Sequence, residues 1–286
     1  MGKRPPSVLI SLFRGCRLVL HFLHGMFLAI FYPRWGRVRQ CRTLQAWSKH
    51  LLDILNVGIR VEGLPPARDG GFLIVANHVS WLDIFVLNAI HPSRFIAKSE
   101  VKSWPLIGWL CQRSGTIFIE RSMRRDAASS VRHVAILLKQ GACVGLFPEG
   151  TTTDGMQVGH FHSAFIQPAI DAGARLYPIA LHYQDDVEEP ISVAVFTGNT
   201  TLAQSVWRIL RCRRHNALAI FTPALAATEN RRVLARAAQE AIARELRNIM
   251  PGKQPPESTI PLPMALLSSQ SGYALLLDPA LSKLPE

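Results

Sequence analysis

Apolar residues along this chain fall into three regimes. From Val8 to Tyr32 they form a nearly continuous run, broken only by Arg14, Arg17, His21 and His24 among other residues of low hydropathy. Its cleaner part, Leu18 to Tyr32, is about 15 residues, or roughly 22 Å of helix against a hydrocarbon core of about 30 Å. That is short for a membrane span. Pro33 stops the helix. A second pattern follows, in which Val38, Cys41, Leu44, Trp47, Leu51 and Ile54 recur at three- to four-residue steps. This is one face of an amphipathic helix whose other face carries Arg39, Arg42, Gln45 and Lys49.

The third regime, from about residue 58 to 250, alternates short apolar runs with helical periodicity. Strands are predicted at Phe72 to Ala76, Arg94 to Ala97, Thr116 to Glu120, Ala142 to Phe147, Leu176 to His182, Ile191 to Phe196 and Ala217 to Phe221. Helices are predicted at Leu82 to Asn88, Pro105 to Arg113, Arg124 to Lys139, His162 to Asp171, Leu202 to Arg211 and Asn230 to Ile249. Short buried strands separated by helices specify an α/β fold, a mixed sheet flanked by helices. Beyond Met250, five prolines between Pro251 and Pro263 predict an irregular tail over 251–286. The expected organisation is thus a two-helix hairpin (1–57), an α/β domain (58–250) and the tail.

Charge sharpens the picture of the hairpin. The chain carries a formal net charge of +12, which points to an anionic partner, nucleic acid or membrane surface. Lys3, Arg4, Arg14, Arg17, Arg34, Arg37, Arg39 and Arg42 all precede the first acid, Asp53. They flank apolar stretches and belong to no base-stacking or groove-reading motif, so anionic phospholipid is the expected partner and nucleic acid is not. Two helices embedded in the cytoplasmic leaflet are the favoured arrangement, a full span the other. The five cysteines are scattered, with no C-x-x-C pair, which indicates neither zinc nor a disulfide framework. His160 and His162 alternate, but no carboxylate or further His joins them at ligand spacing, so no metal is expected.

The most informative local run is NHVSWLD, which holds His78 and Asp83. A neutral imidazole can take a proton from an alcohol near pH 7, and a carboxylate on its other ring nitrogen fixes the tautomer and stabilises the imidazolium. Ser80 sits in no G-x-S-x-G elbow, so the proton belongs to a substrate hydroxyl rather than to a protein nucleophile. The plainer reading is a helix start: Ser80 and Asp83 form S-x-x-D ahead of Ile84 to Leu87. On a regular helix the two side chains would stand roughly 140° apart. They meet only if His78 lies in the turn leaving the strand Phe72 to Ala76.

Three further runs follow: GTIFIER (Gly115 to Arg121), FPEGT (Phe147 to Thr151) and YPIAL (Tyr177 to Leu181). In order and spacing, the four runs resemble the motifs of the glycerolipid acyltransferase family typified by 1-acylglycerol-3-phosphate acyltransferase. The resemblance extends from about Gly63 to Leu181 and includes Ala97 to Trp109. It implies a membrane-associated enzyme at the cytoplasmic face that moves a fatty acyl chain from a thioester onto a lysophosphatidic-acid-like acceptor. No cofactor is implied; the donor would be acyl-CoA or acyl-acyl carrier protein. His78 would be the general base and Asp83 its orienting partner, with no acyl-enzyme formed.

Arg121, helped by Lys98, would grip the acceptor phosphate. Glu149 would bind and orient the acceptor, with Gly150 turning the chain and Thr151 offering donors. Two positions depart from the family pattern. Thr152 stands where many relatives have Arg, and His162-Ser163 where many have Lys-Gly. They leave the head group open, with a lyso-ornithine lipid or another lysolipid as the alternative acceptor. A lipid-binding scaffold without activity is the reading outside enzymes.

Overall fold

The structure is a computed structural model that describes residues 7–67, 70–119, 124–185, 192–227 and 230–250. Among these residues seven strands form one sheet: β1 (Val57–Glu62), β2 (Phe72–Ala76), β3 (Arg94–Lys98), β4 (Ile117–Ile119), β5 (Cys143–Leu146), β6 (Arg175–Asp185) and β7 (His215–Phe221). Their order is β1-β7-β6-β2-β5-β3-β4. The run from β6 to β4 is parallel, as is β1 beside β7, and β7 is antiparallel to β6. Every residue of β2 and of β5 is buried. Strands covered on both faces lack polar alternation, which is why FLIVA and CVGL read as unbroken apolar runs.

Among the described residues, eight α-helices accompany the sheet: α1 (Val8–Phe31), α2 (Arg37–Ile54), α3 (Asp83–Ile90), α4 (Ile107–Arg113), α5 (Arg124–Lys139), α6 (Gln167–Ala172), α7 (Leu202–Leu210) and α8 (Arg231–Ile249). One layer packs α2 against α3, and the other packs α5 against α6, with α8 on β6. Phe72, Ile74 and Ala76 of β2 share a core with Leu51, Leu52, Val86, Leu87 and Ile209; the alternating Leu73 and Val75 point to the opposite layer.

The connections fix where a site belongs. From β2 the chain runs through α3 to β3, stepping past β5. From β5 it runs through α6 to β6, stepping back past β2. Adjacent strands whose connections leave in opposite directions open a crevice at their carboxyl ends, the switch point where open α/β sheets bind ligands. His78 follows β2 and Glu149 follows β5 at that crevice.

The N-terminal segment departs from expectation in two ways. Helix α1 runs unbroken through Arg14 and Arg17 for 24 residues, about 36 Å at 1.5 Å per residue, so by length and composition the segment Val8–Arg34 can cross a membrane. It ends at Phe31, and a 3-10 turn at Tyr32–Arg34 containing Pro33 leads to α2. The stripe expected on α2 is split. Val38 is exposed, whereas Leu51 and Ile54 are buried in the sheet layer, and Gln45, placed on the polar face, donates to the Ala89 and Ile90 carbonyls. Several basic residues are also engaged. Arg37 donates to the Gln140 and Gly141 carbonyls, and Arg39 lies 4.1 Å over the Trp35 ring.

Two strand assignments need correction. Strand β1 was not expected, although Val57, Ile59 and Val61 alternate with Gly58, Arg60 and Glu62. The predicted strand at Ile191 to Phe196 is turn and loop over 192–196. There the Asp185 carboxylate accepts from Ser192 Oγ at 2.8 Å and from the Val193 amide at 2.7 Å, and Ser192 Oγ accepts from the Ala194 amide at 3.1 Å. Side chains have taken donors that a ladder would need. The Pro-rich tail and Arg121 lie outside the described residues.

Candidate active site

The turn 77–82 carries the chain from β2 into α3, and its shape is set by one buried carboxylate. Asp83 Oδ2 accepts from His78 Nδ1 at 2.8 Å, from the Val79 amide at 2.8 Å and from the Ser80 amide at 3.0 Å. Its other oxygen accepts from the Tyr183 hydroxyl at 2.7 Å. The S-x-x-D pattern is thus half a capping box: the acid reaches back to the Ser80 amide, while Ser80 Oγ accepts from Leu82 instead. The same acid organises the turn and orients the histidine, so the two readings of this run describe one structure.

The side chain of Asp83 is fully buried and that of His78 is 19% exposed. A carboxylate only accepts, so the shared proton sits on Nδ1 and the Nε2 lone pair is left free. Among the described residues Nε2 has no hydrogen-bond partner. Phe147 stacks on the His78 ring, with centroids 4.1 Å apart and planes 12° from parallel, and is stacked in turn on Phe95. This face contact holds the ring plane.

Glu149 ties the second loop to the first. Its Oε2 accepts from the His78 amide at 3.1 Å, and its Oε1 accepts from the Gly159 amide at 2.9 Å. Burial pushes its carboxyl above the usual range, and the two amides pull it part of the way back. With both oxygens engaged, Glu149 joins the loop at His78 to the loop at Gly159. Gly150, at φ +71°, donates to the Phe147 carbonyl at 3.1 Å and turns the chain. Thr151 is exposed. The next contact comes from Thr153, whose amide and hydroxyl both donate to the His78 carbonyl, at 2.8 and 3.2 Å.

Lys98 closes β3 on the same edge. Register places Arg94 opposite Val144 and Phe95 opposite Gly145, so Lys98 stands level with the loop after β5 and opposite Ile119, where β4 ends. It is exposed. The structure therefore gathers His78, Asp83, Glu149, Gly150 and Lys98 at one edge. Two residues that sequence reasoning missed belong with them, Tyr183 and Thr153. Tyr183 carried a signal only in being a polar end to the buried run of β6.

Two other polar clusters are present. His160 and His162 are exposed and meet edge to face at 5.4 Å. Asp185, Cys212 and His215 present ligand-type atoms within 4.8 Å of one another. There His215 Nδ1 lies 2.6 Å from Asp185 Oδ1, and its Nε2 faces the Ile209 carbonyl at 3.4 Å. Both ring nitrogens face acceptors, the arrangement of a buried imidazolium–carboxylate clasp between β6, β7 and the end of α7.

Residues 58–182 match the family model described as Acyltransferase. The chain is 40% identical over 173 residues to a 1-acyl-sn-glycerol-3-phosphate acyltransferase of Neisseria gonorrhoeae, covering 60% of this chain and 68% of that protein. It is 37% identical over 202 residues to a lyso-ornithine lipid O-acyltransferase of Pseudomonas aeruginosa, covering 70% and 77%. In fold it resembles the crystal structure of the 1-acyl-sn-glycerophosphate (LPA) acyltransferase PlsC from Thermotoga maritima, with a TM-score of 0.58 at 19% identity over 85% of this chain.

Proposed function

The chain belongs to the acyltransferase family, and from that premise we propose that it acylates the free hydroxyl of lysophosphatidic acid at a membrane, giving phosphatidic acid. The observation that carries the chemistry is the His78–Asp83 pair with Nε2 unoccupied. Nε2 takes the hydroxyl proton as that oxygen attacks the thioester carbonyl. The C–O bond forms, the C–S bond breaks, and the leaving thiolate takes the proton from the imidazolium. Acyl-CoA and acyl-acyl carrier protein both satisfy this chemistry. Lys98 and Arg121 hold the acceptor phosphate. Glu149, Gly150 and Thr151 belong to the loop that shapes the acceptor side.

Helix α1 holds this edge at the bilayer, with the exposed Arg34 and Arg42 directed to anionic lipid on the cytoplasmic leaflet. A second acceptor, a lyso-ornithine lipid, is favoured by Thr152 and by His162-Ser163, and by the relative in Pseudomonas aeruginosa that bears that name.

A panel of lysolipids embedded in vesicles, each assayed with acyl-CoA and with acyl-acyl carrier protein, tests the reading. Lysophosphatidic acid should give the highest kcat/KM, and His78→Ala should lower turnover by about 10²–10⁴-fold. A higher kcat/KM on the ornithine lipid would pass the assignment to the second acceptor.

A further inference from the structure

A second feature stands on the edge that carries His78. Beyond Lys98 the chain makes a 3-10 turn, Ser99–Ser103, and then a tight turn at Trp104, Pro105 and Leu106 before α4. Both large side chains of that turn face outward: Trp104 is 47% exposed and Leu106 is 53% exposed. Leu106 adopts φ +62°, ψ −48°, a conformation that a bulky L-residue rarely holds and that persists only where its surroundings impose it. The surroundings do so here. The Gly108 amide donates to the Trp104 carbonyl at 2.9 Å, and a Cβ on Gly108 would lie 2.2 Å from the Lys102 carbonyl oxygen. The backbone is thus pinned in a strained state whose visible result is a leucine and a tryptophan held out into solvent.

What adjoins the turn says what covers it. Helix α4 packs against α1, whose outward face carries Leu9, Phe13, Leu20 and Phe27, all more than half exposed. The turn thus opens directly into a helix that packs on α1. Lys98 and Lys102 flank it, both exposed, and a tryptophan with nearby lysines is the composition that seats at the boundary between headgroups and acyl chains. A single helix lying in a membrane is a line of contact about which the protein can roll; a second contact off that line fixes the roll.

We propose that the Trp104–Pro105–Leu106 turn is a second membrane-docking element, which enters the interface of an anionic bilayer beside α1 and sets the His78 edge against the lipid. This rests on the reading of a bilayer-borne acceptor given above. It goes beyond that reading by assigning an orientation and the residues that set it.

The test uses the full chain carrying Trp104→Ser and Leu106→Gly, and vesicles of phosphatidylcholine with phosphatidylglycerol. Glycine relieves the φ of Leu106, so the variant is expected to keep its melting temperature. Its partition into vesicles, measured by flotation without substrate, should fall roughly tenfold or more, given two large side chains withdrawn from the interface. Activity on bilayer-embedded acceptor should fall in parallel, while activity on a short-chain acceptor dissolved below its micelle concentration stays at the wild-type level. Trp104→Phe should also lose part of the quenching of tryptophan fluorescence by brominated acyl chains. Unchanged partition overturns the proposal, as does an equal loss on the dissolved acceptor, which would place the turn in the acceptor pocket. Partition is read without turnover, so a wrong acceptor assignment leaves that measurement intact.

Discussion

Replacing Asp83 by Asn separates the charge of the His78–Asp83 pair from its architecture. In the wild type one oxygen collects three donors, His78 Nδ1 and the amides of Val79 and Ser80, and the other collects the Tyr183 hydroxyl. An Asn with its carbonyl oxygen in the place of Oδ2 keeps all three, and its amide then faces a hydroxyl that can rotate to accept. The turn and the tautomer of His78 survive. The negative charge opposite the imidazolium does not. Hydrogen bonds to charged groups contribute about 1.5–3 kcal/mol, so kcat should fall roughly ten- to a hundred-and-fiftyfold. Asp83→Ala is the contrast, because it strands buried donors at about 1–3 kcal/mol each and should lower the melting temperature as well. Thioester consumption in single turnovers, with a thermal melt on the same preparations, provides the assay. If the folded Asn variant kept more than about half of the wild-type rate near neutral pH, a range that loss of a charged partner forbids, the carboxylate would not be supporting an imidazolium and the mechanism would fail.

Four other consequences are accessible. Tyr183→Phe removes one neutral donor from Asp83 and should lower kcat about three- to tenfold with both KM values unchanged, which steady-state kinetics would show. Glu149→Gln leaves one of the His78 and Gly159 amides facing an NH₂ group and should cost about 1–3 kcal/mol in chemical denaturation. Because burial raises the Glu149 carboxyl, its contribution to wild-type stability is complete below the ordinary carboxylate range and declines as pH rises through the raised value; the Gln variant should lack that slope. Burial pulls His215 down, but its bond to Asp185 outweighs this and leaves the imidazole pushed up to about 9. Its stabilisation is therefore full below 6.5 and lost as pH climbs through about 9, a fall in melting temperature that His215→Gln should abolish. Arg121→Ala should reduce kcat/KM roughly ten- to a hundredfold on lysophosphatidic acid and much less on a lyso-ornithine lipid, and equal losses on the two would remove the case for a phosphate grip.

How far the site can be read from the chain depends on where its parts lie. His78 and Asp83 are legible because a single turn contains them, and the condition that His78 precede the helix follows from helical geometry alone. The donor to the other Asp83 oxygen is not legible, because Tyr183 lies 100 residues away on β6 and reaches Asp83 only through strand order. The place of Glu149 after a buried strand is legible, but its engagement with two backbone amides is not, since backbone partners leave no mark on composition. The fold shows the same division. Buried β2 and β5 announce themselves as apolar runs, whereas edge strand β1, with Gly58 and an Arg60–Glu62 ion pair on its exposed side, has only alternation to show. The residues at 192–196 look strand-like until Asp185 takes up their donors, a contact set by the clasp with His215.

Helix α1 presents the reverse of a soluble helix, and that inversion connects fold to function. The residues it buries are Ser11, His21, Gly25 and Ala29, while Leu9, Leu12, Phe13, Leu20, Leu23 and Phe27 are exposed. Gly25 shows why the inner face is small: a Cβ there would meet the Trp47 ring at 2.7 Å, so only glycine lets α1 lie this close to α2. Polar anchors fix its amino-terminal half, where Ser11 Oγ donates to the Leu210 carbonyl at 3.3 Å and Arg14 to the Cys212 carbonyl at 2.8 Å. Those carbonyls close α7 just ahead of β7, whose first residue pairs with the last of β6 at the carboxyl edge. The helix is thus attached by its polar side to the edge where the turn 77–82 lies, and its apolar side is left uncovered over a length that no ordinary soluble surface leaves exposed. Under the proposed function, a bilayer covers this face. Whatever depth α1 reaches, its anchoring ties the position of that edge to the position of the lipid, and an enzyme whose acceptor and product both reside in the bilayer requires this of its fold.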